Sequence, residues 1–331
     1  MAMENSNLAK HAFNPHITVI VPAYNEAAAI LFTLTHIAGC ISKLSHQWDI
    51  VVVDDGSKDS TAAAVKSAPA DLRTTLVRFS RNFGKEYAIS AGLEYAKGDV
   101  VICMDADGQH SADLIAQMLE KWRAGYDMVY AVRDDRHTES KFKQWGSRVF
   151  YRTISMGGQI EIPRDAGDFR LMDRKVVEAL LSLPERNRFM KGMYAWVGFN
   201  SIGIPYTPLP RSHGTSAFSK LKLIQLAWTG YTSFSHVPLR LSSMVGALLA
   251  LLAFIYGIVV VVDRLFFHES VPGWPTVVAG MMFLSGVQLL FIGILGEYLA
   301  RVYDEVKGRP PYIVAEVHQA NQKPRSRKMT H

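Results

Sequence analysis

Short apolar, β-branched runs recur along the first 135 residues, each followed by a longer stretch whose apolar side chains return every three or four positions. This pattern predicts strands at 17–21, 49–53, 75–79, 99–104 and 128–132, with helices between them. Such alternation is the rhythm of βαβ units and a mainly parallel sheet. Asn25, Asp59-Ser60, Asn82 and Ser111 suit helix starts, because short polar side chains accept hydrogen bonds from the free N–H groups of a first turn. From 136 to 210 the pattern breaks into aromatics, arginines, Gly and Pro, with one helix expected at Arg174–Ser182.

Two later runs are of a different kind. Leu241–Val262 holds 22 residues without a charge, and Val277–Gly296 holds 20 more, in which Gln288 is the strongly polar exception. At about 1.5 Å per residue either would cross the roughly 30 Å hydrocarbon core of a bilayer. Ahead of the first, Ser219–Ser235 sets Leu221, Leu223, Ile224, Leu226 and Trp228 among Lys220, Lys222 and Gln225, a pattern that suits a helix at the membrane interface. After the second, Glu297 and Arg301 offer an ion pair across one helical turn before Pro310-Pro311. The domain plan is therefore a polar tail (1–16), an α/β domain (17–215), an amphipathic segment (216–240), two transmembrane helices (241–262 and 277–296) with a short non-cytoplasmic loop, and a basic cytoplasmic tail (297–331) in which order is expected to end near Val317.

Charge sets the orientation. The loop Asp263–Thr276 has one Arg and no Lys, whereas Arg301, Lys307, Arg309, Lys323, Arg325, Arg327 and Lys328 follow the second run. Positive residues stay inside, and residues 1–16 lack the basic start and apolar run of a secretory signal. The expectation is a multi-pass protein of the inner (plasma) membrane with its large domain and both termini in the cytoplasm. The net charge of +6 fits nearness to anionic lipid and phosphorylated substrates, and a solvated basic surface accounts for it equally well. No nucleic-acid partner is expected. Cys40 and Cys103 stand alone, without disulfide or zinc spacing.

The chemistry-bearing residues gather where the predicted strands end, which is where open α/β sheets bind ligands. One strand runs into Asp105-Ala106-Asp107, a second into Asp54-Asp55-Gly56-Ser57, and a third into Pro22-Ala23-Tyr24-Asn25-Glu26. Two carboxylates at i and i+2 suit a hard divalent cation, Mg²⁺ or Mn²⁺, which completes its shell with phosphate oxygens and water. Alone, such a triplet is weak evidence; three acidic or polar tips on one crevice are stronger. Asp55 is expected to be largely a turn and cap residue.

Taken together, Val21-Pro22-Ala23-Tyr24-Asn25-Glu26, Val53-Asp54-Asp55-Gly56-Ser57 and Met104-Asp105-Ala106-Asp107 resemble the nucleotide-sugar-binding domain of family 2 glycosyltransferases, with the Rossmann-like GT-A fold. Further segments are similar to the polyprenyl-phosphate (bactoprenol) glucosyltransferase group: Arg81-Asn-Phe-Gly-Lys85, Asp165-Ala-Gly-Asp168-Phe-Arg-Leu, Pro184 to Gly192, Gly230 to Arg240, Gly293 to Tyr298 and Val306 to Pro310. The likeness spans about residues 16–314. It implies an inverting transfer of a sugar from a nucleotide donor to a polyprenyl (undecaprenyl) monophosphate, for modification of cell-envelope glycans. Glucose from UDP-glucose is the group's commonest case; aminoarabinose, acetamido-sugar and galactose donors share the motifs, and GDP-mannose is a further possibility.

Laid on matching positions, the resemblance gives Pro22, Tyr24, Glu26, Val52 and Asp54 to the nucleoside, Asp54 facing the base or ribose, and Asp105, Ala106 and Asp107 to metal and diphosphate. Arg211 would meet the donor diphosphate, and Arg133 and Arg148 the acceptor phosphate, since a guanidinium fork matches phosphate oxygens. Where related dolichyl-phosphate mannosyltransferases follow Gly-x-Ser with Lys, this chain has Ala217. Asp168 is the candidate base; a phosphate monoester, with a second pKa of about 6, arrives already mostly dianionic, so a role in orienting Arg170 or a sugar hydroxyl is equally open. His110 and His213 suit structural roles, and Tyr194 and Trp196 either stack on the sugar or belong to the core. Gly280, Ser285, Gly286, Gly293 and Gly296 would allow close helix contact, in a homo-oligomer or facing lipid. A metal-dependent phosphohydrolase also uses Asp-x-Asp, but its common form places the triplet near the chain start and follows it with Thr or Val, where Gly108-Gln109 stand here. A non-enzymatic membrane adaptor would need the hairpin alone.

Overall fold

The computed structural model describes residues 14–106, 113–133, 166–186, 188–206, 237–266 and 273–320. The chain divides into two units: Met1–Trp145 with Ile160–Phe218 and Pro310–His331, and Gly146–Gln159 with Ser219–Arg309.

The first unit is built on one sheet. All five expected strands are present: β1 (Ile17–Ala23), β2 (Trp48–Asp54), β3 (Thr74–Phe79), β4 (Val100–Cys103) and β5 (Met128–Arg133). Between them lie α1 (Ile30–Leu44), α2 (Thr61–Lys66), α3 (Lys85–Tyr95) and α4 (Asp113–Arg123). The strands β4, β1, β2 and β3 are neighbours in that order and mutually parallel. Their residues are almost all buried because helices cover both faces, which is why they read as continuous apolar runs. Ile17, Val19 and Val21 of β1 pack with Ile30, Leu34, Ile37 and Ile41 of α1 on one side. Ile20 packs with Ile89 and Leu93 of α3 on the other. There α3 lies so close that a Cβ on Gly92 would stand 2.2 Å from Ile20 Cγ2.

Three further strands complete the sheet, in the order β7-β5-β6-β4-β1-β2-β3-β8. β6 (Ala166–Asp173) runs antiparallel to both β4 and β5. It leads into α5 (Arg174–Ser182), which has the bounds the sequence predicts and is capped by the Asp173 carboxylate, an acceptor for Lys175 N. After α6 (Met190–Trp196), β7 (Ser201–Tyr206) pairs with β5 at the sheet edge, the place where its Pro205 costs no ladder bond. The expected helix-start residues sit near the true starts but do not all cap them. Ser60 is the N-cap of α2, Gly84 that of α3 and Ala29 that of α1, with Asn25 in a left-handed turn at φ 56°. Ser111 lies outside the described residues.

The last strand differs from expectation. β8 (Val314–Gln319) adds antiparallel to β3 and stays ordered past Val317, where the polar composition suggests a loose tail. Side chains rather than propensity hold it. Tyr312 stacks on the buried ring of Phe79 at 4.8 Å between centroids and hydrogen-bonds Glu94. Lys66 Nζ meets Glu316 Oε1 at 2.7 Å, and Ser80 N donates to Ile313 O at 3.0 Å.

In the second unit, α7 (Val237–Phe266) and α8 (Trp274–Lys307) are longer than the expected spans 241–262 and 277–296, because each helix carries on into more polar sequence. Gly280–Lys307 of α8 is long and apolar enough to cross a membrane, and Met244–Tyr256 of α7 is a shorter apolar stretch. Met244, Phe254, Met282, Phe283 and Leu289 are each more than 60% exposed, a surface that water does not favour and lipid does. A Cβ on Gly246 would stand 3.6 Å from the Phe291 ring, whereas one on Gly280, Gly286, Gly293 or Gly296 would meet nothing within 4 Å.

Tyr312→Ala removes the ring that covers Phe79, so it should lower stability by about 2 kcal/mol, and Tyr312→Phe, which loses only the hydroxyl bond, by less. Thermal unfolding of the detergent-solubilised protein, followed by near-ultraviolet circular dichroism, checks that order.

Candidate active site

Because β4, β1 and β2 are parallel neighbours, their carboxyl ends open on one edge of the sheet, and the three tips named from the sequence do share it. The tips of β1 and β2 are knitted by backbone-to-side-chain bonds. Asn25 N donates to Ser57 Oγ at 2.9 Å, Lys58 N to Asn25 Oδ1 at 2.9 Å, Glu26 N to Thr61 Oγ1 at 2.9 Å and Ala27 N to Asp59 Oδ2 at 3.1 Å. Thr33 Oγ1 of α1 donates to Ala106 O at 2.9 Å and so fixes the tip of β4.

Within this frame the named residues take different stations. Tyr24 is 42% exposed at the mouth, whereas Pro22 and Val52 are buried, Val52 with its side chain in the core. The Asp54 carboxylate is wholly enclosed: Oδ1 accepts from Ser57 N at 2.9 Å, and Oδ2 lies 3.3 Å from Arg78 Nε without hydrogen-bond geometry. Asp55, expected as a turn and cap residue, instead holds the loop just ahead of α3. Its two oxygens accept from Phe83 N at 2.7 Å and Gly84 N at 2.9 Å, the groups just ahead of Lys85. Gly56, at φ +67°, lets this turn touch the Arg81 backbone; a Cβ there would stand 2.3 Å from the Arg81 carbonyl carbon.

The centre of the site is Lys85, the first residue of α3. Its Nζ lies 2.7 Å from Asp105 Oδ1, 3.0 Å from Asp105 Oδ2 and 2.7 Å from Asp168 Oδ2. Asp168 reaches this point because β6 pairs with β4, Arg170 opposite Cys103. Burial alone would lower the lysine's pKa, but Asp105 and Asp168 outweigh it and keep the ammonium charged. Burial would likewise raise Asp168, yet Lys85, then Lys191 and Arg170, hold its carboxyl below the ordinary range. Asp168 Oδ1 is buried and, among the described residues, has no hydrogen-bond partner.

Behind the carboxylates lies a polar cluster. Arg170 is 3% exposed; its guanidinium stacks over Tyr194 at 3.5 Å and donates to Gly167 O at 2.8 Å rather than pairing with Asp168. Tyr194 is thus a core ring, whereas Trp196 is 55% exposed. Glu86 Oε2 accepts from Met190 N at 2.8 Å. Burial first, and then the charge of Asp168, push its carboxyl up to about 7. Lys85 entered the sequence reading only inside a motif, and Arg78 and Glu86 not at all, because an isolated charge in an amphipathic stretch has no pattern of its own. Asp107, His110, Arg148, Arg211 and His213 lie outside the described residues, and of Arg133 only the backbone, at the end of β5, is described. Among the described residues no three side chains form a metal-binding group.

Comparison with known proteins adds the following. Residues 18–181 match the model for glycosyl transferase family 2, and residues 237–302 match the GtrB C-terminal hairpin. An uncharacterized glycosyltransferase of Synechocystis is 40% identical over 302 residues, covering 91% of this chain and 95% of that protein. The bactoprenol glucosyl transferase of Shigella phage SfII is 42% identical over 306 residues, covering 92% and 99%. Among solved structures, the mannosyltransferase of Pyrobaculum calidifontis in complex with GDP-Man and Mn²⁺ is similar at 21% identity and a TM-score of 0.43, over 90% of this chain and 93% of that one.

Glu86 gives the site a testable titration. Its folded-state pKa, near 7 instead of the ordinary 4.5, means that this carboxyl's contribution to folding stability is fully present below about pH 4.5 and is lost as pH rises through 7. Glu86→Gln keeps the acceptor for Met190 N and removes the charge, so the variant should gain on the wild type between pH 5 and pH 8. Melting temperatures across that range check it; a constant difference would contradict the assignment.

Proposed function

The chain belongs to glycosyl transferase family 2, and on that premise we propose that it transfers a hexose, glucose from UDP-glucose, to the phosphate of a polyprenyl-phosphate lipid with inversion at the anomeric carbon. The observation that carries the reading is the Lys85 bridge between Asp105 and Asp168 at the open carboxyl edge of the sheet, in a chain that also bears an apolar helical pair. The names of the phage relatives support bactoprenol as acceptor and glucose as the sugar. The two long helices and the basic residues after them support a multi-pass inner-membrane protein with its catalytic domain and both termini in the cytoplasm.

The site fits a divalent cation. Asp105 is 29% exposed, and both its oxygens already face a positive charge, that of Lys85. Asp105 and Asp107 would hold Mg²⁺ or Mn²⁺, hard cations that favour carboxylate and phosphate oxygens. When bound, such an ion supplies charge stabilisation to the departing nucleoside diphosphate. Tyr24, 42% exposed, is the ring available to the donor's base, and Pro22, Glu26, Val52 and Asp54 are assigned to the nucleoside by their motif positions. Arg133, Arg148 and Arg211 are assigned to the acceptor and donor phosphates on residue type alone.

Asp168 acts in this scheme by position. Held ionised by Lys85 and enclosed beside α3, it is a weak proton acceptor, and the lipid phosphate, largely dianionic at neutral pH, needs none. Its charge fixes the lysine and, through the lysine, the spacing of the two carboxylates.

Transfer is measured as release of UDP from UDP-glucose on addition of polyprenyl phosphate in detergent micelles, beside a panel of other nucleotide sugars. Asp105→Asn and Asp107→Ala should each reduce it by about 10²-fold or more, and chelator should abolish the wild-type rate. Chelator-resistant turnover in these variants would overturn the metal assignment. Asp168→Asn should lose the same factor at every pH from 6 to 9, whereas a defect that fades as pH rises would identify a base.

A further inference from the structure

Lys85 sits where three demands meet, and the ion pairs described so far use only part of what it offers. An ammonium has three donors. Asp105 and Asp168 engage its charge from two sides, with 43% of its side chain still exposed, against 29% for Asp105 and 18% for Asp168. The lysine side chain is therefore the least enclosed of the three. It is also carried on the first residue of an 11-residue helix, whose positive end favours an anion at the same edge. The backbone just before it is pinned by Asp55 at Phe83 N and Gly84 N, so the stem starts from a fixed point.

Its contact with Asp105 is with both oxygens, at 2.7 and 3.0 Å from one nitrogen. An ammonium in that position covers the edge of the carboxylate that a divalent cation also needs. The two positive charges exclude one another there, and a hard dication favours carboxylate oxygen as a ligand. Asp168 has no such competitor: it is more enclosed, and its bond to Lys85 is equally short.

We propose that Lys85 is a catalytic residue that changes partner during the cycle: in the donor-free protein it neutralises Asp105 and Asp168, and on loading it gives up Asp105 to the divalent cation, stays on Asp168, and donates to the diphosphate that leaves. The inference rests on the metal-and-donor reading of the site. It gives the pairing of Lys85 with two carboxylates a purpose beyond charge balance. An acidic edge without an internal cation would repel the anionic donor before metal arrived; with Lys85 in place, the positive charge is present first and is redirected rather than recruited. No bond is made or broken by the lysine, and it remains protonated throughout.

The test uses the full-length protein in detergent, with Mn²⁺ binding followed by electron paramagnetic resonance in the absence of nucleotide. Lys85→Met should bind Mn²⁺ about five-fold more tightly than the wild type, the equivalent of an exposed ion pair of about 1 kcal/mol. The same variant should bind UDP in the presence of saturating Mn²⁺ more weakly by calorimetry, and its kcat should fall on the order of 10²-fold. Lys85→Arg, which keeps the charge, should leave Mn²⁺ affinity close to wild type and restore part of the UDP affinity. Unchanged or weaker Mn²⁺ binding in Lys85→Met, or unchanged UDP affinity, would overturn the proposal. Asp105→Asn separates this from the underlying reading: if that variant binds Mn²⁺ as the wild type does, the metal assignment itself fails, whatever Lys85 does. Lys85→Gln repeats the measurement should the Met side chain disturb the fold, which circular dichroism reports.

Discussion

Carboxylates crowd the carboxyl edge of this sheet, and the structure depends on giving each a positive or hydrogen-bonding partner. Asp54, enclosed, takes Ser57 N and the nearby Arg78; Asp55 takes two backbone N–H groups at the start of α3; Asp105 and Asp168 divide one lysine. Burying a charge without such partners would cost several kcal/mol. Apart from Ser57 N, the partners come from β3 and from the loop and helix that follow it, so the segment from Arg78 to Lys85 does most to make an acidic edge tolerable. A ligand site is the result, because the partners are few, specific and in part exchangeable.

The sequence showed those parts of the fold in which one rule governs. Strands β1 to β5 are apolar because helices cover both their faces, and α5 announces itself through its Asp173 cap and its apolar spacing. β6 was not legible for the opposite reason. Its middle, Phe169–Met172, is buried, yet it carries Asp168 and Arg170, whose enclosure depends on Lys85 and on the Tyr194 ring far along the chain. β7 contains Gly203 and Pro205, which argue against a strand until it is known to be an edge. β8 is short and polar, and its order comes from Tyr312 and Glu316 meeting Phe79 and Lys66, more than 230 residues earlier. Such cross-chain partners leave no periodic trace.

Much the same holds for the site. The three strand tips could be gathered from spacing alone, because parallel neighbours must end on the same edge. What could not be gathered was the division of labour among their carboxylates. Asp54 and Asp55 are adjacent in sequence and alike in type, but one is sealed against Arg78 and the other holds the loop ahead of α3. Only the fold separates them, since alternate side chains at a strand end point to opposite sides.

The electrostatics also bear on which step of the reaction the protein must assist. A nucleophile that is itself a phosphate brings its charge with it, so the demanding event is departure of a second phosphate group from the sugar. A site built for proton abstraction would hold a carboxyl with its pKa raised and its partners few. Asp168 has the reverse arrangement, held low by a lysine at 2.7 Å. Among the described residues, burial raises the carboxyls of Glu86 and Asp55, and each is tied to backbone N–H groups, Glu86 to Met190 N and Asp55 to Phe83 N and Gly84 N. On the proposed reading, Lys85 brings its positive charge beside Asp105, where negative charge would develop on the leaving group. That is the arrangement expected of a catalyst acting on the leaving group.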